Sequence, residues 1–176
     1  MSTTLFTIGH GLLAYEELVN LLRAAEVTVL VDVRTAPGSR RNPDAARARL
    51  EQRLPADGIE YRWDRRLGGW RKTGDDHQDT ALRNRAFAGY AVHMRSAEFA
   101  EAIDELLATA AATPTAVMCA EQVWWRCHRR MIADFAVLAR GFDVHHLMPE
   151  GRAQEHRLTD SARLRDDGLL VYDQGA

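Results

Sequence analysis

The thiol content of this 176-residue chain is two cysteines with seven residues between them: Cys119-Ala120-Glu121 is followed by Arg126-Cys127-His128-Arg129-Arg130. An apolar run from Pro114 and Thr115 reads as a buried strand ending in Cys119 and Glu121, and the later residues open an amphipathic helix running to about Arg140. A strand end, a short loop and a helix start thus bring thiols, an imidazole and guanidiniums into one region. That is the set needed to hold an anion or do thiol chemistry. Cys127, near the first helical turn and flanked by Arg126, His128 and Arg129, is placed to be a thiolate. Glu121 beside Cys119 can accept a proton or orient a neighbour, although its charge alone raises a thiol's pKa, and a packed core role fits Cys119 equally. Zinc pairs usually stand about two to four residues apart, so this spacing predicts no metal; a reversible disulfide is sterically allowed.

Three further groups carry polar chemistry. Asp32 and Arg34 alternate across Val33, so in a strand both point to one side of its end. They are either a mutual ion pair anchoring the next loop, or a cation facing an anionic ligand with a carboxylate that orients it or acts as base. Ser39-Arg40, after Pro37-Gly38, offers a hydroxyl and a guanidinium to the same anion site. His10 stands between Gly9 and Gly11 on a bend where a ligand can come close, and a turn histidine without function fits as well. Trp63, Trp70, Trp124 and Trp125 can stack on bases or cap a core. His145, His146 and His156 show no metal-ligand spacing and read as background.

The elements that must position these groups alternate in type. Leu5 to Ile8 is a short strand, Tyr15 to Ala25 a helix with Leu18, Leu21 and Leu22 on one face, and Val27 to Val33 a nearly all-β-branched strand covered on both faces. A loop to Asn42 leads to a helix from Pro43 to about Leu54, then a strand from Ile59 to Trp63. Asp64 to about Arg83 has no period; it contains Leu67-Gly68-Gly69-Trp70-Arg71 and the acidic Asp75-Asp76, and a loop that long tends to be functional. Helices over Asn84 to Arg95 and Ala97 to about Ala111 precede the Cys119 strand and the Cys127 helix. A strand near Asp143 to Leu147, an Arg-rich helical or irregular piece over Arg152 to Arg165 and a strand-like Leu169 to Tyr172 complete the chain.

This alternation predicts a single α/β domain over residues 1–176: a mostly parallel central sheet flanked by helices on both faces, three-layered and Rossmann-like or flavodoxin-like. In such sheets ligands bind outside the carboxyl ends of the strands where strand order reverses, which are the positions of His10, Asp32, Arg34, Cys119 and Glu121. No stretch approaches about eighteen apolar residues, and the N-terminus has no basic region followed by an apolar one, so a cytoplasmic protein without membrane contact is expected. Net charge is −2, yet residues 34–72 hold ten Arg and one Lys against five acidic residues, a local +6 that leaves −8 for the rest. An anionic partner near that stretch accounts for the asymmetry, as does a solvated face in a chain whose bases are 22 Arg and one Lys. No glycine-rich phosphate loop, dinucleotide fingerprint or nucleophile elbow is present, so no cofactor is expected.

Thr7-Ile8-Gly9-His10-Gly11, Val31-Asp32-Val33-Arg34 with Pro37, Ser39 and Arg40, Tyr61 with Leu67-Gly68-Gly69, Asn84, Phe87 and Tyr90-Ala91, Cys119-Ala120-Glu121, and Cys127-His128-Arg129 with Ile132-Ala133 form an ordered set. In it the chain resembles the family called domain of unknown function 488. The resemblance implies an α/β fold and gathers His10, Asp32, Arg34, Cys119, Glu121, Cys127, His128 and Arg129 into one site, with Tyr90 among its ligand-binding residues. The chain departs from the family pattern at Val123-Trp124-Trp125, where a Pro is common, and at Gly11, often a small hydroxyl residue. The reading reached is an enzyme acting on an anionic, phosphate-bearing small molecule or nucleic-acid component. Arg34, Arg40, Arg126 and Arg129 hold the anion, a thiol is nucleophile or acid, and Asp32, Glu121 or His128 moves protons. A non-catalytic nucleotide or nucleic-acid binding module and a thiol redox or metal sensor are its rivals.

Overall fold

The computed structural model describes residues 2–74 and 77–175; Asp75 and Asp76 lie outside the described residues. The central sheet is built from β1 (Thr4–Gly9), β2 (Val29–Asp32), β3 (Glu60–Trp63), β4 (Thr115–Cys119), β5 (Asp143–Leu147) and β6 (Ala153–Glu155). Across it the order is β3-β2-β4-β1-β5-β6, the first five strands parallel and β6 antiparallel to β5. Every residue of β2 and of β4 is buried, as strands covered on both faces require.

Alternate strand residues feed two cores. Ile8, Leu30 and Met118 pack against Leu18 and Leu22 of α1 (Tyr15–Ala24) and Leu50 of α2 (Arg47–Arg53). Leu5, Val31 and Val117 pack on the opposite face against α3 (Arg85–His93), α4 (Ala97–Ala112) and α5 (Arg129–Arg140), through Tyr90, Ile103 and Met131. The result is the three-layer α/β architecture expected from the alternation of elements.

Caps set where the helices start. The Asn84 side chain accepts from the amides of Ala86 and Phe87, Ser96 from that of Phe99, and Glu17 returns to the amide of Ala14. Three boundaries differ from the sequence reading. The expected helix from Pro43 is a 3₁₀ turn, Pro43–Ala45, followed by α2, because Ala46 is extended and the Arg47 amide donates to Pro37 O (2.8 Å) instead of the turn below. The expected helix at Cys127 begins at Arg129, since Trp124–Arg126 forms a separate 3₁₀ turn and Cys127 itself is extended. The Arg152–Arg165 stretch is not helical: it supplies β6 and β7 (Ala162–Leu164), and β7 pairs antiparallel with β8 (Leu170–Tyr172) in a two-stranded ribbon.

The chain leaves β1 through α1 on one face and leaves β4 through α5 on the other, so strand order reverses between β4 and β1. The carboxyl ends of these strands stand side by side. Gly9 is in register with Cys119, the His10 amide donates to Cys119 O (3.0 Å) and the Val33 amide to Met118 O (2.9 Å).

Candidate functional site

At this reversal point the strand ends present His10, Arg34 and Cys119, and the turn after β4 folds back to set Cys127 beside Cys119. Both cysteines are free and buried, their sulfurs 2.7 Å apart. The close packing depends on Gly9, where a Cβ would overlap Glu121 O and come within 2.7 Å of Arg129 Nη2. With both thiols protonated, the Cys119 thiol reaches Glu121 O (3.3 Å). The two do not ionise alike. Burial pushes the Cys119 thiol well up, reinforced by the Cys127 charge. Burial also raises Cys127, but the Cys119 thiol and the charge and amide of Arg129 outweigh it, so its pKa falls below the ordinary thiol value. In the singly ionised pair the charge therefore sits on Cys127 and the remaining proton on Cys119.

His128 completes the group. Its Nε2–H donates to Val33 O (2.7 Å), which leaves Nδ1, 3.4 Å from Cys127 Sγ, as an acceptor for the thiol proton. Desolvation lowers its pKa despite the Val33 bond, which raises it, so the ring is neutral. Two contacts fix the ring plane. Tyr90 packs against it with centroids 5.1 Å apart, and Gly69 passes so close to Nδ1 that a Cβ there would overlap the ring.

Arg129 is 1 % exposed and faces inward. It donates through Nε to Cys119 Sγ (3.0 Å), through Nη1 to Thr7 Oγ1 (2.7 Å) and through Nη2 to Glu121 O (2.8 Å) and Gln122 O (3.0 Å). The expectation that Arg129 holds a ligand anion gives way to a buried guanidinium that touches a thiol.

The other expected residues divide between two cavities that share Ala120 and Glu121 as a wall. The smaller, about 270 Å³, has Cys119, Cys127 and His128 in its lining, with Arg34, Arg126, Phe87 and the exposed Trp70 around them. The larger, about 790 Å³, is lined by His10, Ser39, Arg40 and Arg41 among others. Ser39 and Arg40 thus stand across the wall from Arg34 rather than sharing one anion site with it. Tyr90 is fully buried, donates to Leu67 O (2.9 Å) and supports His128 without lining either cavity. Glu121 is exposed on the shared wall, one carboxylate oxygen accepting from the Val123 amide (3.0 Å).

Asp32 and Arg34 form the mutual pair. Arg34 donates through Nε to Asp32 Oδ1 (2.8 Å), through Nη2 to Oδ2 (2.6 Å) and through its amide to Oδ1 (3.1 Å), and Tyr61 OH adds a fourth bond to the carboxylate. Arg34 Nη1 donates to His10 Nε2 (3.1 Å), and His10 Nδ1–H donates to Gly11 O (2.9 Å). His10 is therefore neutral, as the lowering of its pKa by burial also requires. Part of the local +6 of residues 34–72 is neutralised in the same way by carboxylates outside that stretch: besides Arg34 with Asp32, Arg53 pairs with Glu16, Arg66 with Glu105 and Arg71 with Glu98. Among the described residues Arg40, Arg41 and Arg126, all exposed, have no carboxylate within 4.0 Å.

Sequence reasoning passed over four buried polar residues behind Arg129: Thr7, His146, His156 and Asp134. They come from β1, β5, the segment after β6 and α5, and no short spacing marks them. Trp124, expected at a stacking surface or a core cap, lies flat on His146 with centroids 4.3 Å apart; Trp63 lies under Arg47. No helix of the described residues is long and apolar enough to cross a membrane, and no three His, Cys, Asp or Glu side chains among them converge as a metal site requires.

No curated protein and no solved structure matches the chain. A family model described as domain of unknown function DUF488 matches residues 14–136, which hold Asp32, Arg34, both cysteines, His128 and Arg129. The match covers 123 of 176 residues (136 − 14 + 1), and the chain is a member of the DUF488 family.

Proposed function

We propose that the protein is a cysteine-dependent enzyme acting on an anionic, phosphate-bearing substrate of the nucleotide or nucleic-acid class. The observation that carries this reading is Cys127: a buried thiol of lowered pKa, 3.4 Å from a neutral imidazole nitrogen, lining a cavity at the strand-order reversal. The cavity holds about 270 Å³, enough for the reacting end of a small molecule and too little for a whole nucleotide. The rest of the substrate extends over the Ala120–Glu121 wall into the larger cavity, where Arg40 and Arg41 meet its phosphates. Arg126 meets the charge nearest the thiol, and Trp70 and Phe87 offer faces for a base.

In this reading the Cys127 sulfur attacks an electrophilic centre as neutral His128 Nδ1 takes the thiol proton, and the imidazolium so formed passes that proton to the leaving group as its bond breaks. Asp32 is not the base; its carboxylate is committed to Arg34 and Tyr61. The reducing cytoplasm suits two free thiols.

One specific observation favours a second reading, a thiol redox centre: the sulfurs stand 2.7 Å apart, so a disulfide needs little movement. A single set of experiments separates the readings. Mono- and oligonucleotides are titrated against the intrinsic tryptophan fluorescence of the wild type, Cys127→Ser and an Arg40→Ala/Arg41→Ala/Arg126→Ala triple variant, and each is scored for substrate conversion. The enzyme reading expects Cys127→Ser to bind as the wild type does and convert nothing, and the triple variant to bind at least about 10-fold more weakly, as loss of several charge-assisted contacts implies. Unchanged affinity in the triple variant overturns the anionic-substrate assignment. Loss of two hydrogens from the pair on mild oxidation, with no nucleotide bound, favours the redox reading.

A further inference from the structure

Arg129 is a cation without a carboxylate within 4.0 Å among the described residues, buried in the first turn of α5 where the helix end is itself positive. What compensates it runs in a line. Arg129 Nη1 can only donate, so Thr7 Oγ1 accepts, and the Thr7 hydroxyl proton goes to His146 Nδ1 (2.5 Å). A neutral His146 then carries its proton on Nε2 and donates it to His156 Nδ1 (2.9 Å). His156 Nε2–H donates in turn to Asp134 Oδ1 (2.8 Å). Asp134 is fully buried and also accepts from the Thr159 amide (3.1 Å) and Tyr172 OH (2.9 Å). Every proton in the line has one consistent placement. The reverse direction would leave the Thr7 proton unused and turn a lone pair of His156 onto a carboxylate.

We propose that Thr7, His146, His156 and Asp134 are a positioning relay, a one-way chain of hydrogen bonds that locks Arg129 against the Cys119–Cys127 pair and so keeps Cys127 reactive at neutral pH. The inference rests on the assignment of Cys127 as the reactive thiol. Each donor in the line is polarised by the acceptor beyond it, so the Asp134 carboxylate strengthens the hold of Thr7 on the guanidinium. His146 cannot short-circuit the line by taking a proton: burial, then the neighbouring His156 and Arg129, lower its pKa to about 2. Trp124, stacked on His146, closes the relay from the turn that carries Cys127. The groups facing the thiol pair are His128 and Arg129 at the start of α5, Arg126 in the preceding turn, the Asp32–Arg34 pair at the end of β2 and Glu121 after β4. Arg71 acts on His128 from the loop after β3, and Tyr90 packs on it from α3. Facing the relay are His145 and Arg130.

The test is the rate of iodoacetamide alkylation at Cys127, read by mass spectrometry from about pH 5 to pH 9 in the full chain, for the wild type, Thr7→Val and Thr7→Ser. The wild type should show a midpoint below about 8.5. Thr7→Val, which keeps shape and removes the hydroxyl, should raise that midpoint by about one pH unit or more, and Thr7→Ser should restore it. A Thr7→Val protein that melts earlier but keeps the wild-type pH profile makes Thr7 merely structural and overturns the relay, while a low wild-type midpoint leaves the Cys127 assignment standing. An ordinary wild-type midpoint removes that assignment and the relay's role together. Should Thr7→Val not fold, nitrogen NMR of the wild-type imidazoles decides. Both His146 and His156 must be neutral with the proton on Nε2 at pH 7, and either ring protonated on Nδ1 overturns the relay.

Discussion

Arg129 Nε lies 3.0 Å from the Cys119 sulfur, so the cation nearest the thiol pair donates to the partner whose pKa is raised, while its charge and amide lower the pKa of the other. The arrangement is coherent if the two sulfurs share one proton. Cys119 keeps it because the more deeply buried site disfavours a second charge, and the Arg129 field then stabilises the ionised neighbour 2.7 Å beyond. A guanidinium that cannot deprotonate needs a counter-charge when buried, and a singly ionised dithiol supplies one.

Acid should weaken the fold. Burial lowers the pKa values of His10, His93, His128 and His146, so the unfolded chain binds protons near pH 6.5 that the folded protein does not. Where the unfolded state holds more protons, stability rises with pH, so it falls on acidification below about 6.5, by up to about 1.4 kcal/mol per pH unit for each imidazole in that window. Urea midpoints at pH 7.5 and pH 5.5 measure this. A midpoint equal or higher at pH 5.5 would mean that these rings are charged in the folded protein.

Much of this was legible in the sequence, for definite reasons. Alternating β-branched and amphipathic runs give a parallel sheet, and a parallel sheet sends Gly9-His10, Asp32-Val33-Arg34 and Cys119 to one edge whatever the strand order. The direction of side chains was less legible. Arg129 turns inward because α5 starts two residues after Cys127, and a shift that small is beyond periodicity. Thr7 and His146 meet across 139 positions through strand pairing, with no local signal. The three-residue strands β6, β7 and β8 are too short to show a period of two. The basic excess of residues 34–72 looked like an anion site because its carboxylate partners, such as Glu16 for Arg53 and Glu105 for Arg66, lie outside that stretch.

Gly69→Ala should displace His128 and slow Cys127 chemistry. A Cβ at Gly69 overlaps Nδ1, the atom that accepts the thiol proton, and Tyr90 packed on the ring leaves it little room to retreat. Overpacking of this kind costs about 1–3 kcal/mol. Gly38→Ala is the control, since a Cβ there meets nothing within 4 Å. Equilibrium denaturation together with the alkylation rate at pH 7 reads both effects; equal behaviour of the two variants refutes the contact.

Asp32→Asn should cost far more than Tyr61→Phe. Both remove something from the same carboxylate, but Asn leaves the 6 % exposed Arg34 without a counter-charge, whereas Phe removes one of several donors. Breaking a buried ion pair costs about 3–5 kcal/mol and losing one hydrogen bond about 1 kcal/mol. The consequence reaches the site, because Arg34 also donates to His10 Nε2, so a freed Arg34 unsettles the residue that lines the larger cavity. Urea denaturation of the two variants gives the ratio. Similar losses would show that Arg34 finds another partner when Asp32 is neutralised.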